Sequence, residues 1–424
     1  MRIQSLHIKN YRCFEDFDID FDDRLTVLVG VNGSGKTAVL DALGFFLKMA
    51  GHPIKRQDIE YELPFDDIAI GRNPEDFVYH LELQPSSIAS AGSMPFDIHY
   101  INTTNEGFQY RIDYNIHGAI GGLLATEKPL CVSYMAGRFI LDEDSAIKGN
   151  TNTQSAYSAF ENNFNRTIDY ASTLSWFSDV DSDEARDMRD RGQKGESPAL
   201  KAVRDALSKA LLGNYERPRM QGHPSELVIR KKDTGAYFKV SQLSDGYRAM
   251  LALVMDLARR MAESRIVGEK PGGSPLDAPA IVLIDEVELH LHPAWQHTVL
   301  NTLMEIFPNT QFIVTTHSPQ VLTSIPPKHV RALADGKAYS VDEQTEGATA
   351  SRLLKHILGV DPRPQDLAVV RMLKEYKDLV YEEKWDAPEA MELKRKLDEH
   401  FGKYEPDLFD LELHVENSKW ERGL

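Results

Sequence analysis

The 424-residue sequence predicts an α/β protein: a mixed sheet with crossover helices, an antiparallel β lobe, a compact inserted lobe and a helical C-terminal tail. Three observations predict it. A short buried run, Leu25 to Val29, passes through a glycine-rich loop into Ala38 to Met49, where Val39, Leu40, Leu43, Phe46 and Leu47 recur at helical spacing. Two more apolar runs, Ala280 to Ile284 and Gln311 to Thr315, flank a helix predicted over Ala294 to Phe307, which is the alternation of a parallel sheet. Near the start, Ile3, Leu6 and Ile8, then Phe17, Ile19 and Phe21, alternate with polar neighbours as half-buried antiparallel strands do.

Taken in order, residues 1–87 form the first part of the nucleotide-fold head, with one more alternating strand at Phe77 to Leu83. Residues 88–225 read as an inserted lobe, turn-rich around Ser86 to Gly92 and Gly118 to Gly122, polar from about 141 to 200, and ending in a helix over Ala199 to Leu212. Residues 226–350 begin a second half with a strand near Leu227 to Arg230, the loop SQLSDG and a long apolar helix from Tyr247 to Met261. From 351 to 424 the chain is helical and acidic.

Composition narrows the function classes. Forty-two per cent hydrophobic and 27% charged residues fit a globular chain and exclude disordered and collagen-like classes. The net charge of −17 opposes non-specific adhesion to phosphate backbones, so any DNA contact has to be local. Candidate basic clusters are Lys55-Arg56, Arg217 with Arg219, and Arg230-Lys231-Lys232, all without interleaved aromatics. Cys13 and Cys131 lie far apart, outside any CxxC pattern, which suits a reducing cytoplasm. Neither a signal peptide nor a membrane span is expected.

The chemistry concentrates in four motifs. Gly30-Val31-Asn32-Gly33-Ser34-Gly35-Lys36-Thr37 matches GxxxxGK[ST] between a strand and a helix. Its glycines let successive N–H groups curl around a phosphate, Lys36 reaches the β and γ oxygens, and the Thr37 hydroxyl suits Mg²⁺. Asp285 and Glu286 end the strand IVLI; the first is expected beside the metal, the second as the base that polarises attacking water. Ser244 and Gly246, in LSDGYR, open another helix and offer a second anion site. His317 follows the last buried strand, where it would sense a γ-phosphate. His290, His292 and His297 have no convincing fourth ligand for zinc. Asp179 to Asp183 lacks the glycine and bidentate glutamate of a calcium loop.

In this order GVNGSGKT, LSDGYR, IVLIDEVELHLHP and TTHSPQ resemble the ATP-binding-cassette ATPase head, in the branch that includes SMC and RecF proteins. The opening IKNYRCF fits that branch, and the resemblance places Arg12 near the nucleotide phosphates. The stretches SQLSDGYRAMLALVMDLARR and FPNTQFIVTTHSPQVL, with VSYMAGRF and ILGVDPRP, are similar to the ATPases (PtuA) of Septu and retron anti-phage loci. That resemblance implies ATP and Mg²⁺ as ligands, a homodimer or higher oligomer in which Ser244 and Gly246 of one copy close over the nucleotide held by another, a partner HNH endonuclease (PtuB-like), and a reverse transcriptase with its msDNA as a further partner. A DNA clamp of the RecF type is the alternative. Departures are informative. About 207 residues between Lys36 and Ser244, without heptads, leave no room for long coiled-coil arms, and LSDG replaces LSGGQ. The glutamine that usually joins nucleotide to lobe has Gln57 as its candidate, with Asp66 or Asp67 as rivals. Past His317 no glutamate plus DxD set provides a second, two-metal nuclease site.

Overall fold

The computed structural model describes residues 1–51, 78–84, 94–101, 109–112, 130–136, 168, 170–191, 196–221, 226–267, 273–402 and 405–421. They fall into two compact units, Met1–Leu353 and Leu354–Leu424.

The first unit is built on a six-stranded sheet. Its order is β14 (Lys337–Ser340), β13 (Val330–Ala334), β3 (Leu25–Val29), β12 (Thr310–Thr315), β11 (Ala280–Ile284) and β7 (Leu130–Tyr134). All pairs are parallel except β13 with β14. Every residue of β3, β7, β11 and β12 is buried, as expected of strands covered on both faces. Because β12 lies between β3 and β11, the loops after all three strands open along one sheet edge. The α/β class read from the sequence is therefore the class observed.

A five-stranded antiparallel sheet, β2 (Phe14–Asp20), β1 (Arg2–Tyr11), β4 (Val78–Gln84), β5 (Met94–Ile101) and β6 (Gln109–Ile112), forms the β lobe. The odd spacing from Ile3 to Leu6 has its cause in a register shift between Ile3 and Ser5, which returns the following residues to the buried face. That face packs Phe17, Ile19, Tyr79 and Leu81 into one core with Val39, Leu40 and Leu43 of α1 (Lys36–Gly51). Gln311, buried on β12, joins the two sheets: its Nε2 donates to the carbonyls of Ile3 (2.7 Å) and Asp22 (3.0 Å), and its Oε1 accepts from the Ile3 amide (2.8 Å). An apolar residue there would leave buried backbone groups unpaired, at about 1–3 kcal/mol each.

Among the described residues of the segment 88–225, three strands join the two larger sheets of the first unit. Strands β5 and β6 extend the antiparallel sheet, and β7 is the edge of the six-stranded sheet. A five-residue apolar run in isolation carries no sign of its partner, so its parallel pairing with β11 is invisible locally. The strand near Leu227 also belongs elsewhere: β9 (Glu226–Arg230) sits between β8 (Arg219–Gln221) and β10 (Tyr237–Lys239) in a separate antiparallel sheet. Helices α2 (Tyr170–Arg191), α3 (Pro198–Ala210) and α4 (Asp245–Val267) follow the polar middle of the chain. The helix expected over 294–307 is divided into α5 (Pro293–Gln296) and α6 (Val299–Ile306). At the break the Thr298 hydroxyl donates to the Trp295 carbonyl, and His297 Nδ1 lies 2.7 Å from Thr323 Oγ1.

The second unit contains α8 (Ala368–Tyr381), α9 (Pro388–Phe401) and α10 (Pro406–Glu421), after the short α7 (Pro319–Leu322) of the first. Leu373, Tyr376, Val380, Ala390, Leu393, Leu397, Leu408 and Leu411 form its own core. Among the described residues no helix is long and apolar enough to cross a membrane.

Candidate functional site

Val29 ends β3 inside the sheet, and the glycine loop must turn back to start α1. Gly30, Gly33 and Gly35 all adopt positive φ, which a side chain would resist. Gly35 has a second reason. A Cβ there would lie 2.3 Å from Phe14 Cζ and 2.9 Å from Cys13 Sγ, because the tight β1–β2 hairpin presses onto the loop. The same hairpin, turning at Arg12 and Cys13 between the paired Tyr11 and Phe14, delivers Arg12 to the site. Arg12 itself has φ +48 and is fixed by an ion pair to Asp41 of α1 at 2.5 Å.

The result is a cleft of about 330 Å³ lined by Arg12, Cys13, Asn32, Gly33, Gly35, Lys36, Thr37, Ala38, Asp285, Glu286 and His317. Residues from four separate stretches of sequence meet here. Gly30 and Ser34 belong to the loop but not to the lining, and Ser244 and Gly246 are not part of it. Gln57, Asp66 and Asp67 fall outside the described residues.

Lys36 is buried, and its ammonium donates to the carbonyls of Gly30 (2.9 Å) and Val31 (3.0 Å). Burial pulls its pKa below the ordinary lysine value; Asp285, Glu286 and Glu288 oppose that pull without cancelling it. The Thr37 hydroxyl stands 3.2 Å from a carboxylate oxygen of Asp285. A hydroxyl and a carboxylate side by side are hard oxygen donors of the kind Mg²⁺ selects, so these two residues fit that ion. Asp285 is positioned from both sides. Its amide donates to the Tyr134 carbonyl (2.8 Å), and its Oδ1 accepts from Thr315 Oγ1 (2.6 Å). Thr315 Oγ1 also accepts from the Glu286 amide at 2.7 Å, which holds Glu286 at φ +48. Left-handed backbone is uncommon for glutamate, and here it turns the chain at the end of the strand.

Sequence reasoning passed over Glu288. Its Oε1 accepts from the His317 amide at 2.6 Å, so the turn after β12 is tied to the turn after β11. Its Oε2 is buried without a partner among the described residues. Only the spacing DEVE hinted at it. Ser318 caps α7 through the amides of Gln320 and Val321.

The second loop stands apart. Ser244 and Asp245 are exposed at the head of α4, and the Arg248 amide donates to the Ser244 carbonyl at 3.0 Å. Gly246 is needed for close packing: a Cβ would lie 2.9 Å from the His290 carbonyl oxygen. His290, His292 and His297 are not a ligand set. His292 Nδ1 caps α5 by accepting from the Ala294 amide, and His297 bonds Thr323. Among the described residues the metal-like grouping is His7, Asp16 and Asp18, on the β1–β2 hairpin.

A glycine loop between a buried strand and a helix, facing a strand-end carboxylate pair and a histidine, defines a P-loop ATPase. Residues 25–323 match the family described as "AAA domain, putative AbiEii toxin, Type IV TA system", and the chain belongs to that family. It is similar to Retron Ec83 probable ATPase of Escherichia coli, 27% identical over 500 residues that cover 99% of this chain and 88% of that one. Septu protein PtuA of Bacillus thuringiensis is 22% identical over 375 residues, 85% of this chain and 84% of the relative. Among solved structures, the SMC head domain from Thermotoga maritima aligns with a TM-score of 0.45 and 16% identity, over 81% of this chain and 100% of that one.

Proposed function

We propose that this chain is the Mg²⁺-dependent, ATP-hydrolysing switch subunit of a bacterial anti-phage defence system. Two copies close head to tail over ATP, and closure controls a partner nuclease of the HNH type in the cytoplasm. The observation that carries the reading is the division of the motifs: Lys36, Thr37, Asp285, Glu286 and His317 share one cleft, whereas Ser244 and Gly246 lie outside it at an exposed helix start. Similarity to the retron and Septu proteins over most of the chain supports the pathway.

In this reading Lys36 leaves the Gly30 and Val31 carbonyls for the β and γ phosphate oxygens, and Arg12 faces the same charge from the hairpin. Thr37 and Asp285 would hold Mg²⁺, which supplies charge neutralisation at the phosphates when bound. Glu286 accepts a proton from the attacking water while His317 meets the γ-phosphate. The Ser244 hydroxyl and the amides at the head of α4, presented by the other copy, complete the pocket. Hydrolysis removes the group that both copies grip, and the pair opens. In a retron setting, a reverse transcriptase and its msDNA are the further partners.

The test is sizing in solution with ATP and Mg²⁺. Glu286→Gln is expected to trap a species of twice the chain mass, and adding Ser244→Arg to that variant is expected to return it to the monomer. An ATP-loaded Glu286→Gln chain that stays monomeric sinks the reading. Co-purification with an HNH nuclease encoded beside the gene, dependent on nucleotide, tests the partner.

A further inference from the structure

Asp256 is fully buried in the middle of α4, on a helix where Leu251 to Met255 and Leu257 to Ala258 are buried as well. A carboxylate in such a place is expensive to desolvate, and an apolar residue would pack there at no such cost. Its four donors are specific. Oδ1 accepts from Thr173 Oγ1 (3.2 Å) on α2 and from Arg259 (3.1 Å); Oδ2 accepts from the Tyr134 hydroxyl (2.9 Å) and from Arg260 Nε (2.7 Å). Burial alone would raise the carboxyl's pKa, but Arg260 and Arg259 outweigh it and hold the group below its ordinary value, so it remains an acceptor. Tyr134 is the last residue of β7 and registers against Ile284, and its carbonyl receives the Asp285 amide at 2.8 Å. One residue thus touches the cleft strand through its backbone and α4 through its phenol. From Asp256 to Ser244 is twelve residues, about 18 Å of straight helix.

We propose that Asp256 and Tyr134 are positioning residues for ATP hydrolysis: they lock the helix headed by Ser244 and Gly246 to the strand end that carries Asp285. The two loops of one subunit then move as a single lever, and a displacement at either is transmitted to the other. This rests on the two-copy reading above. It goes beyond that reading by naming the link within each subunit that makes occupancy of one cleft felt at the opposite face.

The experiment is a double-mutant cycle on the full-length chain between Tyr134→Phe, which removes one hydroxyl, and Ser244→Ala. Tyr134→Phe is expected to lower kcat about tenfold while KM and nucleotide affinity stay near wild type. The loss of one buried hydrogen bond should lower the melting temperature by a few degrees, a change that does not by itself alter kcat. Because both residues act through α4, the double variant is expected to be no slower than the slower single one. Asp256→Asn, if it folds, repeats the kcat loss. If Ser244→Ala leaves turnover unchanged, the two-copy reading fails and takes this proposal with it. If Ser244→Ala slows turnover but Tyr134→Phe does not, or the two losses multiply, the lever alone is overturned.

Discussion

The loop that heads α1 lines a cleft and buries its lysine, although Val31, Asn32, Gly33 and Thr37 are exposed, whereas the loop that heads α4 lies outside that cleft. At the first, Lys36 is spent on the loop's own carbonyls, Thr37 reaches Asp285, and the β1–β2 hairpin closes on Gly35. At the second, Ser244 and Asp245 are exposed, and the close contact is backbone packing of Gly246 against the His290 turn. Both are helix starts and both offer amides to an anion. The difference teaches that a helix start becomes a complete site only when other elements converge on it; an outward one has to be completed by what docks there.

The largest effect should come from the loop that heads α1. Lys36→Ala is expected to reduce ATP turnover about a thousandfold and to abolish measurable nucleotide binding, read by phosphate release and by a fluorescent ATP analogue. Ser244→Arg sharpens the contrast. It should lower turnover about a hundredfold yet leave one nucleotide bound per chain at wild-type affinity, because the cleft around Lys36 is intact. Weakened binding in that variant would show that the two loops are not separate half-sites.

A third test uses pH. Burial favours the neutral Lys36 amine, so its proton leaves at a lower pH than that of an exposed lysine. Only the ammonium pairs with phosphate; hence kcat/KM should fall on the alkaline side, starting below lysine's ordinary range, in wild type and Ser244→Arg alike. The smallest effect is expected at Gly246→Ala. Its methyl must push back the His290 carbonyl, costing about 1–3 kcal/mol, which calorimetry should read as a melting temperature lower by a few degrees.

Much of the cleft was legible because its information is local. A buried run ending in glycines, and another ending in Asp285 and Glu286, each announce a strand end with chemistry on it. The sequence could not say that Thr315 braces the Asp285 carboxylate and the Glu286 backbone amide, or that Glu288 holds the His317 turn, since each contact spans 29 or 30 residues between strands made neighbours by the sheet order. Tyr134 and Asp256 are 122 residues apart, and nothing near either names the other. The same reason hid β7, whose partner lies beyond the three described helices α2, α3 and α4, and the sheet of β8 to β10, whose strands look like part of the main alternation. The basic residues of that small sheet gained an aromatic neighbour the linear reading lacked: Arg219 and Arg230 both stack on Tyr237, although Arg230 is paired with Glu216.

Glutamate 286 occupies a left-handed backbone conformation that asparagine or glycine would adopt more cheaply, by about 1 kcal/mol. With Glu286 as the base proposed above, a library of this protein screened for heat resistance alone should therefore drift away from glutamate there, and its survivors should be sturdier proteins with idle clefts. Screens for robustness in this enzyme need an activity gate, since thermal tolerance and work pull that one position in opposite directions.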